Sequence, residues 1–199
     1  MSRNRRRDPY MDFVDHPRFG WSPLLTGLDP ESSKEQTFFH WHSPEERRIH
    51  GTAIAADLTR QQPATVPVTH YFDVTRECID CERPFIFFAQ EQQFWYEELG
   101  FPLESDCVRC VDCRKKQQGL ALAKERYETL FHVENKTTEQ RLEMAAYCLE
   151  LMEAGVFSTR QTERVREWLN LVRRMKDQAH QARVDELQAR VESVEARDG

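Results

Sequence analysis

Two Cys-x2-Cys pairs constrain this chain more than any other feature. They are Cys78-Ile79-Asp80-Cys81 and Cys110-Val111-Asp112-Cys113, separated by 28 residues, and five of the six cysteines fall inside one 36-residue window. Thiols grouped this way read as metal ligands or redox thiols before they read as structural disulfides. Zinc suits the pattern: the ion is tetrahedral, binds four thiolates at about 2.3 Å, and each two-residue spacer lets a tight turn present two sulfurs to one metal. The expected site is one structural Zn2+ held by Cys78, Cys81, Cys110 and Cys113. Cys107-Val108-Arg109-Cys110 has the same spacing, so on spacing alone Cys107 is an alternative fourth ligand. Cys113, however, runs directly into a predicted helix at Arg114, an arrangement found in treble-clef sites, and a helix N-terminus favours the negative charge of a thiolate.

The rest of the chain limits what can surround such a site. At 199 residues there is room for one ordinary domain, or for a small module with helical attachments. The composition, 39% hydrophobic and 31% charged, places part of the length outside a packed interior. A formal charge of -6 disfavours a protein whose main task is gripping phosphate backbones. No apolar run reaches the length of a membrane span, and the opening Arg3-Asn4-Arg5-Arg6-Arg7 leads into Asp8-Pro9 and not into the apolar stretch of a signal peptide. The expected compartment is the cytoplasm, with no membrane partner.

Residues 1–68 are punctuated by prolines and lack a sustained helical period, which predicts an irregular arm. Phe13, Phe19, Trp21, Leu24, Leu25, Phe38, Phe39 and Trp41 give it apolar anchors, so it is expected to wrap over the rest. Residues 69–118 form the four-cysteine module, with a strand at Pro84-Phe85-Ile86-Phe87-Phe88 and a short helix that ends at Gly100. Residues 119–175 continue a helix that begins near 114 and then form a helical hairpin. Leu142, Ala145, Ala146, Leu149 and Met152 mark the apolar face of its first helix, and Val165, Trp168, Leu169 and Val172 that of its second. Gly155 is the predicted stop between them, and Thr137-x-x-Gln140 and Ser158-x-x-Gln161 read as capping boxes at the start of each helix. Residues 176–199 carry a sparse stripe, Val184, Leu187, Val191 and Val194, and are expected to be a solvated, fraying helical tail.

With these residues in view, the module resembles a zinc-ribbon domain family of uncharacterised bacterial proteins. The resemblance covers about residues 71–116. It rests on the first Cys pair, the aromatic strand, Glu91-Gln92-Gln93-Phe94-Trp95-Tyr96, the glycine after that helix, and Arg109-Cys110-x-x-Cys113-Arg114, with Asp57 and Gln61 resembling the family's lead-in. In that family the last pair aligns with Cys110 and Cys113, which favours Cys113 over Cys107. Glu82-Arg83 stands where the family often has a glycine, so the first knuckle is expected to be tightened differently. The resemblance implies zinc binding and no more specific role.

Several features invite sharper readings. Phe85, Phe87, Phe88, Phe94, Trp95 and Tyr96 have the makings of a platform for stacked bases, but a small zinc module more often uses its aromatics as core. Between residues 71 and 118 acids outnumber Lys and Arg ten to six, which weighs against phosphate. Arg109, Arg114, Lys115 and Lys116 form a local basic cluster that a nucleic-acid-associated zinc ribbon (RNA or DNA) would use, and the Arg3–Arg7 run is a second candidate contact. His40-Trp41-His42 would put two imidazoles on one face of a strand, though no third ligand lies near in sequence. Cys148 falls on a helix's apolar side and is expected in the core. No Ser/His/Asp order, phosphate-binding glycine loop or H-E-x-x-H motif is present, so the chain is expected not to be an enzyme. The expected architecture is a small α+β zinc ribbon or treble-clef-like module with an irregular N-terminal arm and a C-terminal α-helical hairpin. Its expected role is that of a non-enzymatic module that binds a protein partner; the alternatives are the nucleic-acid reading and a thiol redox switch.

Overall fold

Val74-Thr75-Arg76-Glu77 and Pro84-Phe85-Ile86-Phe87 are rich in β-branched and aromatic residues, which fit a pleated, half-buried surface. In the computed structural model, which describes residues 8–32, 36–175 and 178–197, they form an antiparallel hairpin of β3 (Val74–Glu77) and β4 (Pro84–Phe87). The register runs from Val74 opposite Phe87 to Glu77 opposite Pro84. Proline opens its strand, a position where its missing N–H costs no ladder bond. A second small antiparallel pair joins β1 (Ile54–Ala55) to β2 (His70–Tyr71). The Arg3–Arg7 run lies outside the described residues, as do positions 176, 177, 198 and 199 of the predicted tail.

The chain divides into two compact units, Met1–Arg114 and Lys115–Gly199. In the first, the arm is stitched to the hairpin by main-chain bonds: the Val14 N–H donates to the Pro84 carbonyl at 2.8 Å, and the Ile49 N–H to the Asp73 carbonyl at 2.9 Å. A further pin is Asp73 itself, which is fully buried. One of its carboxylate oxygens accepts the Leu24 N–H at 2.8 Å and the other the Ala89 N–H at 2.7 Å, so a single side chain ties the arm to the start of the next helix. Burial pushes this carboxyl up to about 6, against the two N–H donors, which favour the ionised form. Of the arm's predicted anchors, Leu25 and Trp41 stay mostly in solvent, at 78% and 51% exposure. Val14 and Ala53 of the same segment are buried.

After β4 the chain turns into α1 (Ala89–Gln93) and continues as a π-helical turn over Phe94–Glu98, with Gly100 beyond it in the left-handed region. The wider turn brings the buried Glu97 to the arm, where it accepts the Asp57 N–H at 2.8 Å. Gln61, the other lead-in residue, donates to the Val68 carbonyl and to the Tyr71 hydroxyl, both at 2.7 Å. Gln92 is buried and donates from Nε2 to the Phe72 carbonyl at 2.6 Å and the Phe87 carbonyl at 2.9 Å, locking α1 to the hairpin. Phe85, Phe87, Phe88 and Tyr96 are buried, so they serve as core, and Phe94 is the aromatic of this group that faces solvent.

The long helix α2 (Val111–Phe131) begins at the second cysteine pair. Its Ala123 and Tyr127 join the core of the second unit, which is otherwise built by α3 (Thr138–Glu153), α4 (Thr162–Arg174) and α5 (Gln178–Ala196). Thr137 opens α3 with a complete capping box. A Schellman motif closes it: Gly155 is in the left-handed region, its N–H donates to the Met152 carbonyl, and the Val156 N–H donates back to Leu151. Ser158 departs from expectation, since its hydroxyl accepts from Arg160 and caps a 3-10 turn, Thr159–Gln161, instead of α4 itself.

The solvated tail expected for residues 176–199 is corrected by the structure. Within α5, Val184, Leu187, Val191 and Val194 are all at most 3% exposed and belong to the same core as Leu142, Leu149 and Leu169. α3 packs against both α4 and α5, and α4 packs against α5. A stripe too short for a free coiled coil suffices here because two neighbouring helices supply the cover.

Candidate metal centre

The β3–β4 connection is the first cysteine knuckle. The Glu82 N–H donates to the Cys78 carbonyl at 2.8 Å and the Cys78 N–H to the Arg83 carbonyl at 3.1 Å, closing a tight turn around Cys81. Such a turn needs a left-handed residue, and Glu82 supplies it with a φ of 58°. The glutamate therefore adopts the glycine conformation itself, at a cost on the order of 1–2 kcal/mol, and the knuckle keeps its shape. The second pair straddles the start of α2, where the Arg114 N–H donates to the Cys110 carbonyl at 3.0 Å. The two knuckles touch through the Ile79 N–H, which donates to the Val108 carbonyl at 3.1 Å, and through Arg109, whose Nε contacts both Asp80 carboxylate oxygens at 2.9 and 3.0 Å.

This brings the sulfurs of Cys78, Cys81, Cys110 and Cys113 within 4.8 Å of one another. Four ligands bound at about 2.3 Å in a tetrahedron have sulfur–sulfur edges of about 3.8 Å, and Cys81 Sγ lies 3.8 Å from Cys110 Sγ. The donor set and its spacing therefore fit a thiophilic ion. Cys78 and Cys110 are buried, Cys113 is half-buried and Cys81 is exposed. Burial raises the Cys78 thiol, but main-chain donors at Cys110, Cys81 and Asp80 outweigh it and bring the group down to about 6. Burial and the neighbouring sulfurs raise Cys113, as expected where several thiols share one space. Val14, Phe85 and Phe87, with Trp95 against them, wall the inner side.

Cys107 stands outside this group of four, and its surroundings show what holds it away. Arg114 Nη1 donates to Cys107 Sγ at 3.0 Å while Nη2 reaches Glu91 Oε1 at 2.5 Å. The guanidinium also lies over the Trp95 ring, 5.0 Å from its centroid. Burial pushes the Cys107 thiol up to about 12. Glu91 is itself buried and has His16 of the arm 3.5 Å away on the same oxygen. Nothing in the sequence singles out Glu91 and His16 for this role. Glu91 carries one signal, its place in the Glu91-Gln92-Gln93 run that marks the family resemblance.

The remaining candidates sort by their partners. Two members of the basic cluster are committed, Arg109 to Asp80 and Arg114 inward to Glu91. Cys148 is fully buried in the helical core. His40 and His42 have ring centroids 5.2 Å apart, but both nitrogens of His40 are in use. Nε2 donates to the Leu103 carbonyl at 2.5 Å, and Nδ1 accepts the His42 N–H at 3.2 Å. Protonating Nδ1 would set two donors face to face. Burial is the largest influence on this ring and holds it near 4. Its contribution to stability is thus complete above about pH 6.5 and is lost as the pH falls toward the folded value, because the unfolded chain takes up the proton first. Ring-nitrogen NMR should show His40 titrating near pH 4, well below an ordinary histidine.

Residues 72–120 match the family model described as "Probable treble clef domain". This segment is a treble clef domain whose four cysteines are placed to bind a metal ion, set among small antiparallel sheets and helices. No curated protein matches the chain, and no solved structure does. No helix among the described residues is long and apolar enough to cross a membrane.

Proposed function

We propose that this chain is a non-enzymatic interaction protein, cytoplasmic, whose treble clef domain is held together by one structural Zn2+ on Cys78, Cys81, Cys110 and Cys113, and whose partner is another protein. The observation that carries the zinc reading is the approach of four sulfurs to within 4.8 Å on two knuckles that are themselves hydrogen-bonded together. Zinc bound there would contribute folding free energy, on the order of 10 kcal/mol for small zinc modules, to a unit whose strands are only two to four residues long. Elemental analysis of untagged protein should return one zinc per chain; none, or two that survive dialysis, overturns the reading.

The protein partner is supported by charge. The chain carries -6 overall, a four-thiolate zinc site adds negative charge, and Arg109 and Arg114 are spent on internal carboxylates. A nucleic-acid partner would bind with a steep salt dependence, so native capture with and without nuclease, followed by a salt titration, separates the two. The redox-switch alternative requires zinc loss under mild oxidant, which the same zinc assay reads.

A further inference from the structure

We infer that Cys81 is a site of covalent modification by soft carbon electrophiles such as α,β-unsaturated carbonyls, and that its modification opens the zinc site. The inference rests on the zinc reading above. Its basis is the unequal shielding of the six cysteines. Cys78, Cys107 and Cys110 are each 1% exposed and Cys148 is fully buried, whereas Cys81 is exposed and Cys113 is half-buried. The shielding follows from the fold: Cys78 directly follows β3 and packs with Val14, Phe85 and Phe87, while the exposed Cys81 precedes the left-handed Glu82 in the knuckle. The nearest other cysteine outside the set of four, Cys107, is covered by the Arg114 guanidinium.

A thiolate, not a thiol, is the nucleophile, and a zinc-bound cysteine is already deprotonated. Addition forms a carbon–sulfur bond at Cys81 with the sulfur's electron pair, the electrophile's α-carbon takes one proton from water, and the zinc–sulfur bond breaks. The product thioether is neutral and a far poorer ligand, leaving three thiolates on the ion.

The test treats zinc-loaded full-length protein, its zinc content measured first, with one equivalent of N-ethylmaleimide. Peptide mapping locates the adduct while a chromogenic chelator records zinc release. Cys81 should be labelled about tenfold faster than Cys113, as its greater access requires, and zinc should leave in step with that first adduct. Wild-type protein stripped of zinc should lose this site preference and spread label over Cys78, Cys81, Cys110 and Cys113. Label arriving first at Cys113 or Cys107, or zinc retained after full Cys81 labelling, overturns the inference and leaves the zinc reading standing. Protein that contains no zinc at the outset overturns both.

Discussion

Deleting residues 176–199 should unfold the helical unit, with loss of most of the helical signal from the second half of the chain in circular dichroism and no cooperative melt remaining there. Val184, Leu187, Val191 and Val194 are essentially closed to solvent, and each side chain of this size contributes about 1.5–3 kcal/mol when fully buried. Removing all four takes away an amount comparable to the whole stability of a typical domain, about 5–15 kcal/mol. It also removes one of the helices packed on α3 and α4, so part of their shared core would then face water. The ion pairs lost with the helix, among them Arg190 with Glu153, Arg166 with Glu195 and Arg183 with Glu139, are about a third or more exposed and add little. A milder variant separates packing from chain length: Val191→Ala keeps the helix and should cost about 1–3 kcal/mol by chemical denaturation. A truncated protein that melts as the intact one does would mean that α5 is not docked in solution.

The tail is hard to read from sequence because its stripe invites comparison with the wrong partner. Four apolar residues in a 3-4-3 spacing are too few for a free coiled coil, but a helix laid against two others needs no more. The missing clue lies in α3. Besides Leu142, Ala145, Leu149 and Met152, the structure buries Met144, Cys148 and Leu151, which fall on another side of the same helix. A helix apolar on two sides needs two partners, and the hairpin offers one. The arm is opaque for a different reason: its attachment depends on Asp73, and a single aspartate in a sequence does not reveal that two amides 49 residues upstream and 16 downstream will converge on it. The knuckles, by contrast, are legible residue by residue, because a two-residue spacer and a helix start are local properties that tertiary packing does not override.

Cys113→Ser should lose zinc and unfold the treble clef domain, whereas Cys107→Ser should keep one zinc and fold. The two thiols have equal spacing from Cys110, so the difference comes from their surroundings. Cys113 lies in the first turn of α2 with its sulfur among the other three, while the Cys107 thiol is held by Arg114, which Glu91 orients from the other side. Removing a true ligand removes binding free energy that is also folding free energy, so the variants should differ by several kcal/mol, on the order of 3–6. Cys107→Ser keeps a hydroxyl that can accept from Arg114 and should lose no more than about 1–2 kcal/mol. For Cys107 to rescue the Cys113 variant, its thiol would have to leave Arg114, whose guanidinium and Glu91 would then be re-paired without it. Cys107→Ser/Cys113→Ser controls for this: if it behaves as Cys113→Ser does, no exchange occurs. Zinc content and thermal melts of the three proteins decide the matter. A zinc-free Cys107→Ser beside a fully loaded Cys113→Ser would exchange the two assignments and make the Arg114 clamp a feature of the ligand itself.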